Sequence, residues 1–182
     1  GLNASPAYRK NVIEALRRLT GFDLRPADNY IELMQNTDAF VQVSAALRTC
    51  ALGIIRISGD LRLLASGPTT GLGEIILPAM QPGSSMMPGK VNPSICEMTE
   101  MVCFQVIGHD TTLAYACQAG QLELNVMMPV MAHCLLSALT ILGNASRVLA
   151  ERCVQGITAN EDRCRQYAES SLGLVTALNI KI

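Results

Sequence analysis

Between Gly83 and Pro93 the chain reads Gly-Ser-Ser-Met-Met-Pro-Gly-Lys-Val-Asn-Pro, which gathers two hydroxyls, an ammonium and a carboxamide into one short stretch. These groups can donate hydrogen bonds to an anion, and a serine can also move a proton if water is kept from it. Gly83 and Gly89 permit backbone angles that other residues resist, while Pro82, Pro88 and Pro93 fix theirs, so the segment has the makeup of a shaped, hinged loop. A phosphate-binding loop is a poor match. Five residues rather than four separate Gly83 from Gly89, and Val91 stands where a Ser or Thr would hold magnesium. A surface turn with solvated serines is the plainest alternative.

The 182 residues are 49% hydrophobic and 16% charged, enough apolar material for one core and too much for a disordered chain. A net charge of −1 gives no field for nucleic acid or an anionic membrane, and no basic run is interleaved with aromatics, so nucleic acid is excluded as a partner. Seven cysteines, Cys50, Cys96, Cys103, Cys117, Cys134, Cys153 and Cys164, are spread without a C-x-x-C pair beside only two histidines. No metal site and no disulfide framework is expected from that spacing. Reduced cysteines in apolar helices fit a reducing cytoplasm.

The opening Gly-Leu-Asn-Ala-Ser-Pro lacks the charged and apolar regions of a signal peptide. Residues 124–146 form an uncharged run long enough to cross a bilayer. Asn125, Pro129, His133, Ser137, Thr140 and Asn144 interrupt it, as in a helix buried among other helices, and no membrane span is expected.

The elements that must carry the loop are helices. Phe40, Val43, Leu47, Cys50, Ile54, Ile57, Leu61 and Leu64 recur in steps of three and four, which predicts a long bundle helix ending at Gly67-Pro68, with Asp28 or Asn29 to cap its start. Met131, Leu135, Ala138, Leu142, Ala145 and Leu149 predict another over 128–153, and Ser94 to Ala119 a third, entered through Pro93 and bent near Gly108. A short helix over 6–19 carries a solvated charged face. Gly156–Asn160 is a turn, with Thr158 or Asn160 capping a last helix from Glu161. No convincing strand or repeat appears, so the fold class is all-α, a long-helix bundle. Helices apolar around so much of their circumference call for oligomerisation.

The pattern Gly83-Ser84-Ser85-x-Met87-Pro88-x-Lys90-x-Asn92-Pro93 resembles the signature of the fumarase/aspartase superfamily. The resemblance extends over nearly the whole chain. Asp60–Gly67, Cys103–Gly108, Ala119–Met127 and Gly156–Asn160 look most like aspartate ammonia-lyases, whereas Gly71–Ile75, Pro88–Lys90 and Leu174–Asn179 are closer to class II fumarases. Three places depart from the pattern: His109 stands where relatives usually have asparagine, Pro68-Thr69-Thr70-Gly71 lacks the arginine common after that proline, and Met128 replaces the glutamate usual in aspartases.

The resemblance implies removal of a proton next to a carboxylate, then loss of the group on the adjacent carbon, giving fumarate. It implies Ser84 as general base, Ser85 as a holder of a substrate carboxylate, Lys90 and Asn92 as donors to the aci-carboxylate, and Met87 as an apolar wall. Glu97, seven residues after Lys90, matches an acidic residue that orients a histidine from another segment. No role falls to His109 or His133, and no cofactor is implied. The resemblance further implies a homotetramer with active sites shared between subunits, acting on a small dicarboxylate or amino-acid substrate. Residues 1–182 correspond to the second half of the family's central helical domain, without its earlier histidine-bearing segments or small C-terminal domain. The chain alone is therefore expected to be inactive or nearly so. The rival expectations are a non-catalytic helical oligomerisation module and a membrane-associated helical protein.

Overall fold

The computed structural model describes residues 3–180, with side-chain surroundings through residue 176; Gly1, Leu2, Lys181 and Ile182, the ends of the expected 1–182 domain, lie outside the described residues. Three long helices dominate: α3 (Asp38–Leu64), α4 (Ser94–Gln118) and α5 (Met128–Arg152). Around them stand α1 (Pro6–Thr20), α2 (Tyr30–Gln35), α6 (Glu161–Ser170) and a two-residue ribbon of β1 (Ile75–Ile76) and β2 (Thr158–Ala159). At about 1.5 Å per residue, each long helix runs close to 40 Å.

Pairings across the helices fix their directions. Ser44 and Arg48 early in α3 meet Asp110 late in α4, whereas Arg62 at the end of α3 meets Glu97 and Glu100 at the start of α4. Cys96 near the start of α4 lies against Cys153 just past α5. The three helices therefore run up, down and up, with α4 in the middle.

The core is three clusters along that stack. Leu113, Ala116, Met131 and Cys134 close one end, Ala51, Cys103, Val106, Ala138 and Leu142 fill the middle, and Cys96, Leu149 and Cys153 close the end nearest the loop. The predicted α5 stripe is on the buried side: Met131, Ala138, Leu142, Ala145 and Leu149 are buried, and Leu135 packs against them. On α3 the predicted stripe marks the helix but only part of it faces the core. The buried line is Ser44, Ala51 and Ser58, seven residues apart, while Phe40, Val43 and Ile57 of the predicted stripe remain nearly half exposed. Small residues let α3 approach α4 closely, with Leu47, Ile54 and Leu61 of the stripe packed against the core beside them, while Phe40, Val43 and Ile57 stay uncovered within one chain.

Helix ends follow local chemistry. Asn29 does act as a cap, but of the separate helix α2, where Oδ1 accepts from the amides of Ile31 and Glu32 at 3.1 Å each. The start of α3 falls instead at Thr37, without a side-chain cap. Helix α4 is continuous through Gly108. Asn160 caps α6 by accepting from the Arg163 amide. The ribbon was not foreseen: Ile75 pairs with Ala159 and Ile76 with Thr158, two residues a side being too short to carry an alternating pattern.

Asn125, which the sequence presents as an interruption of an apolar run, is a buried junction between α4 and α5. Its Nδ2 donates to the carbonyls of Ala116 and Cys117 at 3.0 Å each, its Oδ1 accepts from the Met127 amide at 2.9 Å, and its own amide donates to Met34 O at 3.0 Å. Asn125→Ala leaves the end of α4 and the start of α5 with unpaired polar groups at a buried position. We expect a loss of about 1–3 kcal/mol, measured by chemical denaturation.

Two helical runs, Asp38–Leu64 and Met128–Gly156, are long and apolar enough to cross a membrane by length and composition. In α3 that run carries Arg48 and Arg62, both ion-paired to carboxylates of α4.

Candidate active site

The loop hangs between two fixed points. On its N-terminal side, residues 71–76 are tied to the connection between α5 and α6. Asn160 Nδ2 donates to Gly73 O at 2.9 Å, Arg163 Nε to Leu72 O at 3.0 Å and the Asn160 amide to Glu74 O at 2.9 Å, beside the β1–β2 ribbon. On its C-terminal side, Pro93 leads directly into α4, whose first turns are packed into the core through Cys96.

Within the loop a second set of bonds draws the ends together. The Gly83 amide donates to Lys90 O at 2.9 Å, and Asn92 Nδ2 donates to Gly83 O at 3.1 Å. Asn92, expected to face a substrate, is thus half-buried and spends one amide hydrogen closing the loop; its second N–H is not used by that bond. Gly83 is required by this clasp, because a Cβ there would sit 2.4 Å from Lys90 O. Gly89 adopts a φ of 79°, in the left-handed region that favours glycine. Gly83→Ala should therefore open the clasp and misplace the residues between 84 and 90. A displacement of that kind costs about 100-fold in turnover, with little change in melting temperature because the loop lies outside the three core clusters.

Ser84 is the half-buried hydroxyl of the pair, and Ser85 is exposed. The Met86 amide donates to Ser84 Oγ at 3.1 Å. A backbone N–H aimed at this oxygen stabilises negative charge on it, which is what a serine needs to act as a base. The residue sequence alone did not reveal that donor, since it depends on the turn at 84–86.

Ser84, Met87 and Lys90 line one hollow of about 430 Å³ together with Ala79, Met80 and Val91. That is room for a small ligand. Ser85, Asn92 and Glu97 do not line it. Glu97 lies in the first turn of α4, as expected, where a carboxylate also suits the helix dipole. Its Oε1 is 3.8 Å from the guanidinium of Arg62, which also binds Glu100 at 2.6 Å. Within one chain, then, three of the six predicted residues face a common space and three do not.

The remaining reactive side chains have quieter surroundings. All seven cysteines are free. Cys96 and Cys153 approach to 3.7 Å between sulfurs, and burial, reinforced by Cys153, pushes the Cys96 thiol up to about 12, so it stays protonated and weakly nucleophilic at neutral pH. Burial likewise raises Cys103 and Cys134. His109 and His133 stack edge to face with centroids 6.0 Å apart across α4 and α5. No group of three or more His, Cys, Asp or Glu side chains able to hold a metal occurs among the described residues.

A half-buried serine with a backbone donor, a cation and an apolar wall lie around one hollow at the head of an antiparallel helix in an all-α scaffold. Its relatives agree. A family profile described as lyase matches residues 1–108. Aspartate ammonia-lyase from Bacillus subtilis is 51% identical over 179 residues, covering 98% of this chain and 38% of that protein. The aspartate ammonia-lyase of Helicobacter pylori is 50% identical, covering 98% of this chain and 38% of that protein. Among solved structures, fumarate lyase:delta crystallin from Brucella melitensis superposes with a TM-score of 0.92 at 49% identity, over 97% of this chain and 41% of that one. Class II fumarase from Schistosoma mansoni gives 0.89 at 38% identity, over 97% and 40%. The chain belongs to the lyase family, and it spans about two fifths of the length of the relatives it matches.

Proposed function

We propose that the chain is the loop-bearing part of an aspartate ammonia-lyase, which eliminates ammonia from L-aspartate to give fumarate. The observation that carries this is the Met86 N–H on Ser84 Oγ beside Lys90 in one hollow, and the aspartate ammonia-lyases at about half identity support the choice of substrate. Ser84, as alkoxide, takes a proton from carbon 3. The electrons move onto the adjacent carboxylate, which becomes a doubly charged aci-carboxylate, and then expel the amino group from carbon 2 as ammonia.

Lys90 supplies the positive charge that the aci-carboxylate needs, and Asn92 adds its second N–H when the substrate is bound. Ser85 holds the other substrate carboxylate, and Met87 forms the apolar wall. Ser85 and Lys90 are exposed in the single chain, so water must be displaced by closure of the loop and by other chain segments. Glu97 orients a catalytic side chain from one of these segments.

That division of labour fits a homotetramer with shared sites, acting in the cytoplasm without a cofactor. It is supported by the uncovered apolar faces, including Phe40, Val43, Leu52 and Ile57 on α3, Met101 and Phe104 on α4 and Leu136 on α5. We assign these faces to subunit contacts rather than to a membrane or a non-catalytic helical module. Residues 1–182 alone are then inactive or nearly so.

The fumarase-like stretches Gly71–Ile75 and Pro88–Lys90 favour a second reading, hydration and dehydration between malate and fumarate. Ultraviolet detection of fumarate, with the full-length protein given L-aspartate and L-malate separately, decides between them. Product from aspartate alone supports the ammonia-lyase. Product from malate alone moves the assignment to fumarase, and silence from a correctly assembled protein removes both.

A further inference from the structure

Arg62 takes no part in the chemistry above, yet it is the side chain that joins the end of α3 to Glu97. We infer that Arg62 is a positioning residue for Glu97, with Glu100 setting how firmly it grips; the inference rests on the elimination reading, in which Glu97 orients a catalytic partner.

The antiparallel crossing brings the last turn of α3 against the first two turns of α4. Glu97 and Glu100, three residues apart, share one face there. The guanidinium divides itself unequally between them: Nη1 lies 2.6 Å from Glu100 Oε2, and Nη2 lies 3.8 Å from Glu97 Oε1. Burial explains the division. The Glu100 side chain is 12% exposed against 42% for Glu97, and a buried carboxylate cannot release its cation without a large cost. Glu100 therefore anchors Arg62, and Arg62 touches Glu97 with the nitrogen left over.

Two carboxylates and one guanidinium leave one negative charge uncompensated. It resides on Glu97, the more exposed and less tightly bound partner. Glu97 is thus restrained by Arg62 but not neutralised, the state needed to hold an imidazolium or ammonium presented by another segment or subunit. Without Glu100, Arg62 would be free to close on Glu97 and cancel that charge.

The test is kcat and KM for L-aspartate in the full-length protein, with melting temperature measured alongside. Arg62→Met should lower kcat by about 100-fold with KM changed by no more than about threefold, and Arg62→Lys should recover most of the loss. Glu100→Gln should lower kcat by about tenfold at nearly constant KM, although it removes no group that meets substrate; this variant carries the test if Arg62→Met fails to fold. Glu97→Gln is the control. Glu97→Gln inactive with Glu100→Gln at wild-type kcat, and Arg62→Met at wild-type kcat where it folds, overturns the inference alone. Glu97→Gln at wild-type kcat overturns the role of Glu97, and the inference with it.

Discussion

Replacing Ser84 by alanine in the full-length protein should lower kcat by about 10³- to 10⁴-fold, the scale of a lost general base, and leave the assembly intact. The change removes a single oxygen whose recorded bond is the Met86 amide at 3.1 Å. Met86 is 88% exposed, so its N–H can turn to water. No member of the three core clusters comes from the loop, and Ala is compatible with the half-buried position. Steady-state kinetics with size-exclusion chromatography measures both halves of the expectation. A rate near that of the unaltered protein would remove Ser84 as the base.

Lys90→Met is the second large effect, and its form differs. In the proposed elimination the ammonium stabilises charge that is partly present on the bound carboxylate and doubles in the transition state, so both binding and turnover should suffer. A loss of about 10²- to 10³-fold in kcat, with a raised KM, is expected. The clasp should survive, because Lys90 holds Gly83 through its backbone carbonyl rather than its side chain. Methionine keeps the length of the stem while losing the charge. An unchanged KM and kcat would show that another cation serves the carboxylate.

How far the sequence could be read depended on the range of the interactions involved. The long helices were readable because apolar residues at steps of three and four mark a helix face locally, and α5 buries the residues that its pattern indicates. The α3 stripe was readable as a helix but does not by itself mark the buried face, for a physical reason. Pattern reasoning sends the largest apolar residues inward, whereas the α3–α4 contact fully buries Ser44, Ala51 and Ser58, packs Leu47, Ile54 and Leu61 partly against the core, and leaves Phe40, Val43 and Ile57 to be covered by something beyond one chain. Similarly, Ser84, Met87 and Lys90 were singled out by the resemblance of the Gly83–Pro93 pattern to a family signature, but the Met86 donor and the Asn92–Gly83 clasp arise from the path of the loop. Arg62 was out of reach because its meeting with Glu97 and Glu100 depends on the register of two antiparallel helices.

In the proposed function, residues 83–93 form a catalytic lid that orders over a dicarboxylate. Amide hydrogen exchange of the full-length protein, with and without succinate as an unreactive dicarboxylate, tests it most directly. Slowed exchange at Ser84–Val91 is expected when succinate is bound, with the amides of α4 and α5 unchanged. Exchange in the loop that stays the same at saturating succinate would contradict it.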